Sequence, residues 1–438
     1  MHPKLTRRKF LSATAAAGIG LTLANAQNAT QPKPALLGGT RVRTEPFPSW
    51  PIFDQSEEQA LVNSLRTGKW FRGSGKNVNE FESAYARLLG AKFCIGTNSG
   101  TNALIASMNA LGVGAGDEVI LPPYTFVACV NAILMLGAVP VFVDTDLETF
   151  QIDAKKIEAA ITDRTVAIMP VHLGGNAADM DDILAIARKH KIAVVEDACQ
   201  AHLGEWRGKK VGTLGDTGCF SFQASKNLTA GEGGAILTND EQLAEKCFAA
   251  QSNSSPRKGG QRFIRGANLR MSEFHASLLL TQMTRLPDQA KTRDENAAYL
   301  TRMLSEIPGI LPARTYEGCT RSGHHLYMFR YKKEQFANLP RAKFLSALAA
   351  EGIRGSSGYG PLNKEPFIAE TLRSRGYQRV LSKEQFAAWT ERNDCPENDR
   401  LCEEGAWFTQ NMLLANRAAM EQIAEAVGKI HAHASDLA

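Results

Sequence analysis

The stretch Ser221-Phe222-Gln223-Ala224-Ser225-Lys226-Asn227-Leu228-Thr229-Ala230-Gly231-Glu232-Gly233-Gly234 sets one lysine among small and hydroxyl-bearing residues, directly after a β-like run ending near Phe222. A lysine held in such a turn can form a Schiff base with an aldehyde cofactor. Taken alone, the stretch fits a surface turn with a solvated lysine equally well. A second stretch shifts the balance. In Ala193-Val194-Val195-Glu196-Asp197-Ala198-Cys199-Gln200 an apolar strand runs straight into a carboxylate. Pyridoxal phosphate (PLP) needs both parts, a lysine for its aldehyde carbon and an acid for its pyridinium nitrogen.

Four further features would complete a PLP pocket. Thr97-Asn98-Ser99-Gly100-Thr101-Asn102 precedes a helix of small and apolar residues, so its amides and hydroxyls, Gly100 and Thr101 among them, suit a phosphate. The same pattern also serves as an ordinary helix cap. Pro122-Pro123-Tyr124-Thr125-Phe126-Val127 puts aromatics just past a strand end, where one could stack on a pyridine ring or simply join the core. Gln200, three residues after Asp197, could reach the pyridoxal 3-oxygen. Asn268, in the run before the helix at Glu273, could supply a phosphate contact.

The elements that must position these groups alternate. Strand-like runs fall at 118–121, 139–143, 166–171 and 192–196, with helical runs at 127–136, 154–160 and 180–190. This rhythm predicts an α/β fold: a mostly parallel sheet between helices, with its functional groups at the carboxyl ends of the strands. Two more strands, 215–222 and 234–238, flank the lysine loop. Residues 57–111 read as largely helical, with an interruption at 68–75, and 273–307 read as helical again. After Pro308 the pattern shifts to short strands and helices, which predicts a smaller α+β domain. The expected divisions are 1–26 signal, 27–45 linker, 46–290 large domain and 291–438 small domain.

Composition narrows the partners. A hydrophobic fraction of 44% and a charged fraction of 22% are ordinary for a globular enzyme. Of the net charge of +5, four units come from Lys4, Arg7, Arg8 and Lys9, within a start that has no acid. The remainder gives no reason to expect nucleic acid or an anionic membrane as partner. That start reads as a twin-arginine export signal: Thr6-Arg7-Arg8-Lys9-Phe10-Leu11, then an apolar run, then Ala24-Asn25-Ala26. It predicts a periplasmic or otherwise exported protein. The eight cysteines match no zinc spacing, and no metal is expected. Cys395 and Cys402 sit close together in a polar stretch, where a disulfide is one outcome and two free thiols the other.

In order along the chain stand Gly-Lys-Trp at 68–70, Ser-Gly-Thr at 99–101, Tyr-Thr-Phe-Val-Ala at 124–128 and Pro-Val-Phe-Val-Asp at 140–144. Next come Val-His-Leu-Gly-Gly at 171–175, Glu-Asp-Ala-Cys-Gln-Ala-His at 196–202, Phe-Ser-Phe at 220–222, Gly-Glu-Gly-Gly at 231–234 and Asn-x-Arg-Met-Ser-Glu at 268–273. Together they resemble the sugar aminotransferases of the DegT/DnrJ/StrS family, within the aspartate-aminotransferase (fold-type I) superfamily. The resemblance runs from about residue 38 to 367 and beyond. It implies a seven-stranded sheet in the large domain. It also implies that Lys226 carries the cofactor and moves the proton, that Asp197 holds the ring nitrogen protonated, and that Gln200 contacts the 3-oxygen. Gly100, Thr101 and Ser221 would hold the phosphate, with Asn268 reaching in from a neighbouring subunit, and Phe126 would stack on the ring. That arrangement implies a homodimer with shared active sites. The runs at 356–362 and 405–411 look like the branch that aminates keto-cyclitols of the scyllo-inosose type. The chain departs from the family pattern after Leu173, where an aromatic is common, and at Ala267, where Tyr is common. The expected reaction moves an amino group from glutamate or glutamine to a keto-sugar or keto-cyclitol. A PLP-dependent sugar dehydratase, or an exported PLP-binding protein without turnover, are the alternatives.

Overall fold

The computed structural model describes residues 32–438, so the expected export signal and the start of the linker lie outside the described residues. Seven strands form the main sheet, in the order Phe93–Thr97, Gly234–Thr238, Thr217–Ser221, Ala193–Asp197, Thr165–Ile168, Glu118–Leu121, Val139–Phe142. Gly234–Thr238 runs antiparallel to both its neighbours, and the other strands are parallel to one another. The sheet is therefore mostly parallel, and its strands are buried along their length, the edge strand Val139–Phe142 included. Two hydrophobic clusters flank it.

The helical expectation for 57–111 fails at one place: Phe93–Thr97 is a strand at the sheet edge. Gly90, at φ 74°, ends the helix Asn77–Leu89, and the Ser99 side chain caps the next helix, Gly100–Ala110. Only a five-residue apolar run remains between them, too short for periodicity to separate strand from helix.

The opposite edge is covered. Trp389 Nε1 donates to Pro140 O at 2.6 Å, Tyr377 Oη donates to Ala138 O at 2.9 Å, and Asn393 Oδ1 accepts Phe142 N–H at 2.6 Å. These contacts occupy groups that an open edge would offer to another chain. Residues 362–402 therefore pack on the main-sheet core, through Ile368, Leu372, Trp389 and Leu401 among others. A separate cluster surrounds the three-stranded sheet Ile310–Pro312, Leu326–Tyr331, Gly405–Thr409, backed by the helices Leu286–Leu304, Arg341–Ala350 and Arg417–Ala432. The stretch around 35–43 is anchored to this unit: Glu351 accepts the backbone N–H groups of Ala35 and Val42 at 2.7 and 2.9 Å and meets Lys429 at 3.1 Å. All eight cysteines are free thiols, and Cys395 and Cys402 are both buried in the apolar cluster. Among the described residues no helix is long and apolar enough to cross a membrane.

Glu196 is the polar keystone beneath the site. It is fully buried and accepts the N–H groups of Gly212, Leu214 and Gly215, each at 2.7 Å, with His172 Nε2 at 2.9 Å. Removing it orphans several buried donors at once. Glu196→Ala is expected to cost about 3 kcal/mol or more of stability; an unchanged urea midpoint would contradict this.

Candidate active site

Successive residues of a strand point to opposite faces. At the end of Ala193–Asp197, Glu196 turns into the packed side, whereas Asp197 turns to a cavity of about 530 Å³. Asp197 Oδ1 accepts Cys199 N–H at 3.0 Å, and Oδ2 accepts the Cys129 thiol at 2.9 Å. Asp197 is 5% exposed, so its carboxyl sits in a poorly solvated place with two fixed donors.

Lys226 follows the neighbouring strand Thr217–Ser221. Its loop is closed by backbone bonds from Phe222 N to Gly233 O at 2.8 Å, Ala224 N to Gly231 O at 2.9 Å and Ala230 N to Phe222 O at 3.0 Å. The next residue, Asn227, is pinned from another part of the chain: its Nδ2 donates to Gly323 O at 2.7 Å, and its Oδ1 lies 3.1 Å from His325 Nδ1. Lys226 is half-buried, with its accessible part opening on the cavity. Burial disfavours its ammonium and outweighs the opposing pull of the nearby Asp197, so its pKa falls below the ordinary lysine value.

The anion cradle rests on close approach. Gly100 opens the helix Gly100–Ala110, and Ser99 Oγ caps it by accepting Asn102 N–H at 3.1 Å. A Cβ on Gly100 would lie 2.7 Å from Ser221 Cβ and 2.9 Å from Cys199 Sγ. A Cβ on Gly234 would lie 2.3 Å from Ser99 O. Glycine at both places brings the helix N-terminus, Thr101 and the Ser221 hydroxyl to one wall of the cavity. Backbone amides and the positive end of the helix dipole there favour a phosphate.

Gln200 is oriented by both ends of its amide. Its Oε1 accepts Gly174 N–H at 2.8 Å, and its Nε2 donates to Tyr359 Oη at 3.2 Å. One Nε2 hydrogen is left to face the cavity. Phe126 reaches the same cavity but is 55% exposed, so it sits at the mouth. Asn268 does not line the cavity; its side chain is exposed and its backbone bridges Ser252. Lys226, Asp197, Gly100, Thr101, Phe126, Gln200 and Ser221 are thus gathered by one chain, and Asn268 is not. Cys129, Tyr359 and His325 also line the cavity, although the sequence reading does not mark them as site residues. Cys129 reads in sequence as one small apolar residue of a helix, and nothing local marks it. Tyr359 and His325 come from distant segments, and nothing local marks them. A larger cleft of about 930 Å³ lies along the helix Leu286–Leu304, but it holds none of the predicted groups.

A half-buried lysine with a lowered pKa, an acid at a strand end and an anion cradle fit PLP, and they define a PLP enzyme built on a mostly parallel α/β sheet. The chain belongs to the DegT/DnrJ/EryC1/StrS aminotransferase family, whose model matches residues 52–388. It is 35% identical over 430 residues to the L-glutamine:2-deoxy-scyllo-inosose aminotransferase of Streptomyces fradiae, covering 92% of this chain and 99% of that protein. It is 34% identical over 391 residues to the 3-amino-5-hydroxybenzoate synthase of Amycolatopsis mediterranei, with 87% and 98% covered. A crystal structure of 3-amino-5-hydroxybenzoic acid synthase superposes with a TM-score of 0.80 at 34% identity, over 90% of this chain and 100% of that one. An aminotransferase from Psychrobacter cryohalolentis gives a TM-score of 0.75 at 29% identity, with 87% and 98% covered. The protein is a PLP-dependent aminotransferase of fold type I.

Adding one methyl group tests the cradle. Gly100→Ala is expected to weaken PLP binding about tenfold or more, roughly 1.4 kcal/mol, while the fold stays intact. Equilibrium dialysis showing wild-type affinity would refute the close-packed cradle.

Proposed function

We propose that this enzyme transfers an amino group from glutamine, or from glutamate, to a keto-cyclitol or a related keto-sugar. The observation that carries the reading is the end-to-end similarity to a glutamine-dependent keto-cyclitol aminotransferase, 35% over 92% of the chain, with Lys226 and Asp197 facing one cavity. Bound PLP supplies a carbonyl that takes up the amino group and a ring that withdraws electrons from the reacting carbon.

The chain's own residues do the rest. Lys226, with its lowered pKa, offers a neutral amine at the cavity wall and moves the proton to and from the reacting carbon. Asp197 keeps the ring nitrogen protonated by placing a negative charge in a site of low effective dielectric. The free Nε2 hydrogen of Gln200 orients the 3-oxygen. Gly100, Thr101 and Ser221 hold the phosphate, and Phe126 covers the ring at the mouth. Asn268, remote from its own cavity, completes the phosphate site of a second copy in a homodimer. The twin-arginine segment exports the protein after it has folded with its cofactor.

Incubating the loaded enzyme with glutamine and scyllo-inosose-type ketones, and identifying the amine by mass spectrometry, tests the reading. Formation of an aminocyclitol supports it; a product with oxygen lost and no nitrogen gained would refute it. Lys226→Ala is expected to lower kcat by about 10²–10⁴ or more. Asp197→Asn is expected to slow single-turnover amino transfer while the cofactor stays bound, and unchanged kinetics would contradict its role. Because the neutral amine is the reactive form, the rate of PLP uptake by cofactor-free protein should rise with pH and level off below 10.5, the ordinary lysine value. A rise that continues past that pH would contradict the lowered pKa.

A further inference from the structure

The role given to Asp197 depends on a carboxylate held in one rotamer that faces the cavity with its charge available to the ring nitrogen. The part assigned below to its neighbour Cys129 rests on that role. Asp197 Oδ1 takes a backbone N–H, from Cys199. Its Oδ2 takes a thiol, from Cys129 at 2.9 Å. Cys129 is 1% exposed and sits in the first turn of the helix Ala128–Met135. The same sulfur lies 3.3 Å from Thr125 Oγ1. The thiol has a single hydrogen, already directed at Asp197, so the Thr125 hydroxyl is the donor in that contact. A buried donor chain runs from Thr125 through Cys129 to Asp197.

A thiol is a weak donor, so it aligns a carboxylate while offsetting little of its negative charge. A hydroxyl, imidazole or guanidinium in its place would bond the carboxylate more strongly and offset more of the charge that the ring nitrogen must feel. Burial, with the nearby charge of Asp197, pushes the Cys129 thiol well above its ordinary pKa, so the proton stays on sulfur. The other groups near Asp197 are Lys226, the thiols of Cys199 and Cys219, and the Tyr359 hydroxyl.

We propose that Cys129 is a positioning residue of the cofactor site: its S–H fixes the rotamer of Asp197 while leaving the carboxylate's negative charge free to act on the ring nitrogen.

The test uses the PLP-loaded full-length protein as wild type, Cys129→Ser and Cys129→Ala, with Cys247→Ser as control. Cys247 is fully buried in the helix Glu241–Gln251 and does not line the cavity. Cys129→Ser, a stronger donor, is expected to weaken PLP retention about threefold or more, equivalent to roughly 0.7 kcal/mol. The pH midpoint of the visible absorption band should move in opposite directions in the Ser and Ala variants and stay put in Cys247→Ser. Cys129 variants with wild-type midpoints and retention overturn the inference. Infrared spectroscopy of cofactor-free protein gives a second readout: the S–H stretch of Cys129 should be displaced to low wavenumber and vanish in the Cys129 variants but not in Cys247→Ser. An undisplaced band overturns the inference even where the variants fold poorly. Protein that takes up no PLP refutes the cofactor site itself, whereas a coloured enzyme with unmoved midpoints overturns only the role of Cys129.

Discussion

Two adjacent carboxylates at the end of one strand face opposite ways, and the architecture of the site depends on that alternation. Glu196 is buried in the packed side, where it binds the turn at 212–215 and His172. Asp197 emerges on the cavity side between Cys199 and Cys129. A register slip of one residue would exchange them and put the fully bonded acid on the cavity side. The parallel pairing of Val195, Glu196 and Asp197 with Thr217, Gly218 and Cys219 fixes that register. It also brings the strand that leads to Lys226 alongside the acid.

The lysine loop is held from both sides. Its base is closed by backbone hydrogen bonds, and Asn227 is tied to the segment at 323–325. Gln200 is tied in the same way to Tyr359. Residues on the connections of the three-stranded sheet thus reach into the cavity formed at the ends of the large sheet. The site depends on the later part of the chain even though its chemical groups come from the earlier part.

Much of this is legible in the sequence because the groups are local. The strand-then-carboxylate pattern at 193–197, the glycine-opened helix at 100 and the lysine between two strands are each read from a handful of neighbouring residues, and the cavity unites them. The features that escape such reading need contacts far apart in the chain. Phe93–Thr97 is a strand because it pairs with Gly234–Thr238. Residues 362–402 carry polar composition, yet Trp389 and Tyr377 seat them against the edge strand at 139–142. The cysteines look interchangeable in sequence, and only their neighbours separate Cys129, bonded to Asp197, from Cys247, packed among apolar side chains. Asn268 stands out by motif, but the single chain leaves it away from the cavity.

A covalent link between PLP and the side-chain nitrogen of Lys226, in a cavity closed by Asp197, is the claim on which the enzyme's chemistry stands. Borohydride reduction of the yellow, loaded protein followed by peptide mass mapping addresses it most directly. A single modified peptide is expected, with the added mass of the reduced cofactor on Lys226. A modified lysine elsewhere, or no modification in protein that binds PLP stoichiometrically, would contradict it.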